Sequence, residues 1–368
     1  MENSALATAV AWAAFALAFV FGAVANRSGF CTMGAVSDVV NIGTWTRMRM
    51  WLFAIAVAIL GTQGLHVAGL VDLSKSIYVT PNFTWLSYVV GGFMFGVGMT
   101  LASGCGSKTL VRIGGGSLKA VVVFAFLAIS SYMTLKGLFA LWRVGALESF
   151  AIALPGNQDL ASLAHAATGI DTATARLVLA GAIGTGLIAF AFAGEEFRAF
   201  DNWFGALLIG LTVVGGWYVS GRLGYLAEDP NTLQEAFVAT NSGKLESFSF
   251  VSPVGYSLEL LMFWSDKSKI VTMGIAGVIG IIAGSFSYAI ASRTFRVESF
   301  RETEDLINHI VGATLMGFGG VAALGCTIGQ GITGFSTLAL GSIITFFAIV
   351  AGATLTMKFQ YWRITQTS

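Results

Sequence analysis

The sequence predicts an all-α polytopic membrane protein, and three features carry that expectation. The 20 basic and 19 acidic residues make up only 11% of the 368-residue chain, where an ordinary soluble domain carries about 25%. Hydrophobic residues reach 55%, and they fall in runs long enough to cross a hydrocarbon core about 30 Å thick. The 46 glycines suit closely packed membrane helices. So few charges could not cover a soluble protein of this size, and so many apolar residues exclude disorder. A net charge of +1 offers no basic field for nucleic acid. The expected surroundings are the lipid bilayer.

Taken in order, charge-poor apolar runs mark about nine spans, near 5–24, 51–70, 84–103, 120–142, 176–194, 202–220, 270–291, 309–324 and 336–356. The first is long enough to span and stay. Glu2 stands where a cleavable signal would carry basic residues, so no signal peptide is expected. The fourth holds Lys136 near its end, placed to snorkel. The fifth and eighth are short for complete crossings. Connections 25–50 and 221–269 each contain a semi-apolar stretch too short to span, and 145–175 reads as a surface loop or interfacial helix. Residues 104–118 and 325–335 are glycine-dense breaks between consecutive spans. Irregular backbone at membrane depth requires burial in protein or a polar cavity. A single membrane domain is expected over 1–368.

An internal repeat organises these spans. Val90, Gly91, Gly96, Gly98, Ala102, Gly104 and Cys105 each meet an identical residue 221 positions later, in the segment Val311–Cys326. Gly29–Val36 matches Ser247–Val254 more weakly at an offset of 218, which pairs Phe30 with Phe248 and Cys31 with Ser249. Each half then reads as span, short motif, span, span, glycine–cysteine break, span. Repeat one covers about 1–142, a linker loop and helix 143–200, repeat two 201–357, and a short tail 358–368. Five crossings separate the first span from its mate at 202–220, and an odd number inverts the second half. The expected architecture is a 4+1+4 inverted repeat with short re-entrant helices and a site near the midplane. Glycine-rich helix packing alone would also produce some of these matches. Lys and Arg set the orientation. Of the 20, 12 fall on the face opposite the N-terminus, among them Arg47, Lys108, Arg198 and Arg363. That face is expected in the cytoplasm with the C-terminus, and the N-terminus in the periplasm.

The chemistry centres on three cysteines. Cys31, Cys105 and Cys326 cannot all pair and form no CxxC, so neither a redox pair nor a metal site is indicated. Cys105 and Cys326 hold the same place in the two halves, after Gly104 and Gly325. Glycine there lets backbone approach a ligand, and broken helix ends near the midplane attract anions. Cys31 lies in RSGFCTMG, and Ser249 is its mate. Ser107, Thr327 and Gln330 offer neutral hydrogen bonds beside the thiols, or cap the broken helices. Lys108 and Arg112, three and seven residues after Cys105, offer an anion a favourable exit or anchor the cytoplasmic end. Asp38 reads as a cap or anchor, and His66 as a packed or interfacial histidine. Any one cysteine reads equally well as a small hydrophobe. Three in small-residue motifs, two of them related by the repeat, favour a path for a small soft anion, because S–H is a weak donor. No GxxxxGK[ST] loop is present, which argues against ATP hydrolysis.

At RSGFCTMGAVSD (27–38), LASGCGSKTLVRIGGGS (101–117) and ALGCTIGQGITGFSTLALGS (323–342) the chain resembles the YeeE/YedE family of bacterial inner-membrane proteins, of the thiosulfate-uptake type. The resemblance implies nine spanning helices plus re-entrant ones in an inverted-repeat hourglass. It implies a transporter rather than an enzyme, without cofactor, in which Cys31, Cys105 and Cys326 pass thiosulfate along by S–H hydrogen bonds without covalent capture. A small cytoplasmic sulfur-carrier protein often works beside such transporters, and some members are linked to other sulfur species or to selenium. Two further readings stand beside it. One is a membrane sulfurtransferase forming a cysteine persulfide, for which Cys105 with Lys108 close by is the candidate thiolate. The other is a structural or channel-like subunit in which the cysteines are replaceable.

Overall fold

A computed structural model describes residues 2–230 and 232–367. The first half contains α1 (Glu2–Ser28), α2 (Thr32–Ser37), α3 (Thr46–Val67), α4 (Trp85–Leu101), α5 (Gly106–Gly114) and α6 (Leu118–Lys136). A connecting region follows with α7 (Leu138–Trp142), α8 (Leu160–Thr168) and α9 (Thr172–Phe192). The second half contains α10 (Phe200–Tyr218), α11 (Ser252–Met262), α12 (Met273–Ala291), α13 (Thr303–Ala322) and α14 (Leu340–Thr367), with a wide helical turn at Gly329–Gly334 before α14. Two-residue strands pair Asn82–Phe83 with Ile152–Ala153 and Tyr225–Leu226 with Ala236–Phe237, both antiparallel.

Among the described residues eight helices are long and apolar enough to cross a membrane, built on α1, α3, α4, α6, α9, α10, α12 and α14. The chain is thus an all-α polytopic membrane protein. The expected span at 309–324 lies in α13, which is 20 residues long but is not one of the eight. Its first turns carry Glu304, Asp305, Asn308 and His309, which dilute its apolar character. Its buried face runs from His309 to Ala322. The expected fifth span, short in the sequence, is complete: Asp171 accepts from the N–H groups of Ala173 and Thr174 at 3.1 and 3.3 Å and starts α9 several residues early. The fourth span ends at Lys136, because Gly137 turns the chain into an extended conformation. Lys136 and Lys269 both reach Glu259 of α11, at 2.8 and 2.7 Å. They hold its carboxyl below the usual range despite the opposing effect of burial.

The spans pack in matched pairs. Helix α1 lies along α12 and α10 along α3, while α4 lies along α14 and α13 along α6. Helix α4 also crosses α13, and α1 crosses α10. The short elements follow suit: α2 sits on α3 and α11 on α12, and α5 meets α6 where the Gly329–Gly334 turn meets α14. Helix α9 lies to one side, against α3 and α8.

The α4–α13 crossing explains the shared glycines. A Cβ on Gly98 would stand 2.5 Å from the Gly312 carbonyl oxygen, and one on Gly312 would stand 2.6 Å from that of Gly98. The same reciprocity joins Gly91 and Gly319, at 2.8 and 2.5 Å. Backbone meets backbone, so no flexible side chain can yield. Gly98→Val should therefore destabilise the protein by about 1–3 kcal/mol, read as a lower melting temperature in detergent. A melting temperature equal to that of the unsubstituted protein would show that the helices can part without cost.

Candidate substrate-binding site

Both glycine–cysteine breaks have the same backbone. Helix α4 ends where the N–H of Gly104 reaches back to the Met99 carbonyl at 2.9 Å, and α13 ends where that of Gly325 reaches the Gly320 carbonyl at 2.7 Å. The residue before each glycine is left-handed, Ser103 at φ 55° and Leu324 at φ 59°. A non-glycine residue in that region is disfavoured by about 1–2 kcal/mol. Two such residues 221 positions apart show that the chain builds one turn twice. Each turn delivers a cysteine to the head of a new helical segment.

Cys105 stands extended, at φ −78° and ψ 175°, before α5. Its Sγ lies 3.3 Å from the Ser107 hydroxyl. The Cys326 Sγ accepts from the N–H of Gly329 at 3.4 Å. Cys31 heads α2, and its Sγ accepts from the N–H of Gly34 at 3.3 Å. All three thiols are reduced and buried, with exposures of 9% for Cys31, 1% for Cys105 and 0% for Cys326.

Ser249, the mate of Cys31, is brought to the second break. A Cβ on Gly329 would stand 2.5 Å from the Ser249 hydroxyl oxygen. The Thr333 hydroxyl fixes this segment by donating to the Phe248 carbonyl at 2.7 Å, and the Ser247 hydroxyl donates to that of Val213 at 2.8 Å. Ser249 and Leu324 line a cavity of about 170 Å³ together with Glu246, Arg143, Asn241 and Tyr256. Burial pushes the Glu246 carboxyl up, against hydrogen bonds from the Ser242 hydroxyl and the Asn241 N–H.

The remaining expected residues divide. Gly104 lies against Lys108, whose Cγ would be 3.2 Å from an added Cβ. Lys108 is half-buried and makes no ion pair among the described residues. Arg112 leaves the site and pairs with Glu298 at 3.4 Å. Gly325 packs on Gln330, whose side-chain amide donates to the Ala323 carbonyl. The Gln330 Oε1 and the Thr327 hydroxyl are buried without a hydrogen-bond partner among the described residues. Asp38 pairs with Arg47 at 3.4 Å. The His66 ring is tied to the Val71 carbonyl at 3.0 Å and the Leu73 N–H at 3.3 Å. Both are anchoring contacts.

Three buried polar groups were not singled out from the sequence. The hydroxyls of Thr32 and Tyr78 and the indole N–H of Trp51 have no hydrogen-bond partner among the described residues. Trp51 stacks between Phe30 and Phe346, with ring centroids 6.3 and 5.3 Å away. It opens a span, where a tryptophan ordinarily reads as an interfacial anchor. Tyr78 lies in a connection with no motif. Only Thr32 had a signal, its place directly after Cys31.

Fold and site together define a polytopic helical membrane protein whose core is built around buried thiols, and the chain's relatives give that class a family. A family model described as Sulphur transport matches residues 27–355, and the chain belongs to this family. It is 28% identical over 326 residues to the thiosulfate transporter TsuA of Escherichia coli (strain K12), covering 85% of this chain and 84% of that protein. It is 26% identical over 350 residues to the thiosulfate transporter TsuA of Spirochaeta thermophila, covering 93% and 96%.

Proposed function

We propose that the protein imports thiosulfate, or a closely related sulfur anion, across the bacterial inner membrane. Cys31, Cys105 and Cys326 pass the anion along by S–H hydrogen bonds. One observation carries this reading: three buried, free thiols each head a helical segment, two of them after the same left-handed turn. An S–H group is a weak donor, better matched to a polarisable sulfur than to a hard oxygen. Lys108, half-buried beside Gly104, supplies positive charge where a dianion would otherwise meet low dielectric. The cargo named for both relatives supports the choice of thiosulfate.

The matched packing pairs and the duplicated left-handed turns support an inverted two-fold repeat of about 1–142 and 201–357, related across the α4–α13 crossing. The distribution of Lys and Arg supports a periplasmic N-terminus and a cytoplasmic C-terminus. A small sulfur-carrier protein would receive the cargo on the cytoplasmic side. In proteoliposomes, labelled thiosulfate is expected to enter faster than sulfate or sulfite. Equal uptake of sulfate would count against a soft-anion path.

A sulfurtransferase is the second reading, and the half-buried Lys108 is what favours it. A thiolate would attack the outer sulfur of thiosulfate, form a cysteine persulfide and release sulfite. Mass spectrometry after incubation with thiosulfate separates the two readings, since only the second leaves an added sulfur on a cysteine.

A further inference from the structure

We infer that Arg47 is a substrate-binding residue, whose guanidinium takes the oxygen end of the anion while its terminal sulfur meets Cys31 at one mouth of the path. This inference rests on the thiosulfate reading above and deepens it by naming the charge that meets the cargo there. Gly34 brings the two groups together. A Cβ on that glycine would stand 2.8 Å from the Arg47 Nη1 and 3.5 Å from the Cys31 Cβ. Guanidinium and cysteine thus flank the space of one missing methyl group. The Gly34 N–H donates to the Cys31 Sγ at 3.3 Å, which keeps the sulfur beside the same glycine. Arg47 comes from the first turn of α3 and Cys31 from the head of α2, and these two helices pack together.

The place is a mouth rather than the core. Cys31 keeps more exposure than the other two thiols, and the Arg47 side chain is 47% exposed. The guanidinium also has donors to spare. Asp38 pairs with its Nε edge at 3.4 Å, and neither Nη group has a hydrogen-bond partner among the described residues. Other arginines near this end of the bundle are turned to anchoring contacts. Arg27 pairs with Asp201 at 2.7 Å, while Arg49 and Arg198 donate to the Phe190 and Phe192 carbonyls at 3.1 and 3.0 Å. Arg47 instead stands over the glycine that holds a thiol. Its planar Nη pair suits two oxygens of one anion, and the S–H suits the polarisable sulfur. Half-exposed to water, the arginine attracts the anion without trapping it, as passage requires.

If Arg47 only anchored the end of α3, its worth would lie in the pair with Asp38, and losing either partner would have the same effect. Right-side-out and everted membrane vesicles separate these roles, because each presents labelled thiosulfate to one face. Arg47→Gln is expected to raise the half-saturating concentration about tenfold in everted vesicles, which present the face carrying Arg47, and by less than about twofold in right-side-out ones. Asp38→Asn should leave it unchanged or lower in both, because it removes a competing carboxylate. Both variants should melt with the wild type, since an exposed pair adds little stability. A rise confined to right-side-out vesicles would uphold the inference and reverse the orientation. An Arg47→Gln value within about twofold of wild type at both faces, or an equal rise for Asp38→Asn, would overturn this inference alone. A wild-type protein that moves thiosulfate in neither kind of vesicle would overturn the functional reading and this inference with it.

Discussion

Replacing Cys326 by alanine should abolish thiosulfate uptake while leaving the fold intact. The Cys326 side chain is fully buried and accepts only weak backbone hydrogen bonds, that from the Gly329 N–H at 3.4 Å among them. Alanine removes a single sulfur atom from a break otherwise held by backbone, including the Gln330 N–H to the Cys326 carbonyl at 2.7 Å. The stability cost should stay near 1 kcal/mol. Transport should fall far more, because Ser249 rather than a thiol fills the neighbouring position, and nothing replaces the lost contact. Cys105→Ser is the companion test. Its hydroxyl would bond strongly to that of Ser107, now 3.3 Å from the sulfur, and would offer the anion a harder donor. Uptake at the wild-type rate by both variants, at normal melting temperature, would end the idea of a thiol path.

The largest effect on stability is expected from Asp159→Ala. Asp159 and Arg176 form a buried pair at 3.0 Å, with side chains 1% and 9% exposed. Asp159 also caps α8, accepting from the N–H and hydroxyl of Ser162 at 3.3 and 2.7 Å. Arg176 has one further partner, the Gln63 side-chain oxygen at 3.4 Å. Removing Asp159 leaves a buried guanidinium almost uncompensated and uncaps a helix, so a loss of about 3–5 kcal/mol is expected. Adding Arg176→Met should recover much of it, since the penalty lies in the stranded charge rather than in the pair's net worth. Thermal unfolding of the two single variants and the double variant measures this. A double variant no better than Asp159→Ala alone would refute the argument.

Much of this was legible in the sequence because it is local. A Gly–Cys break after an apolar run announces itself by composition, and Gly104–Cys105 and Gly325–Cys326 both appear as re-started helices. Most span boundaries were legible to within a few residues, but the fourth span ends at Lys136 rather than 142 and the last helix runs on to Thr367 rather than 356. The early start of α9 had a local signal, Asp171 at its head. Helix α13 shows the limit of hydropathy: its polar first turns coexist with a buried face that only neighbouring helices create. The long-range partners were not legible. Nothing around Tyr78 shows that its ring ends against Trp217, and nothing around Arg112 shows that Glu298 draws it away. Such placements depend on which distant helices meet, and a residue's near neighbours in the chain say nothing about that.

The matched pairing of the spans has a consequence for how the protein is made. The principal partner of α1 is α12, that of α3 is α10, that of α4 is α14 and that of α6 is α13. Every span of the first half has its main partner in the second half. Helices α1 and α4 must wait for theirs while more than half of the chain is synthesised, and α3 for a shorter stretch. Contacts this distant in sequence close slowly. The last helix, α14, therefore completes the packing of α4, and the first half stays only partly mated until it arrives.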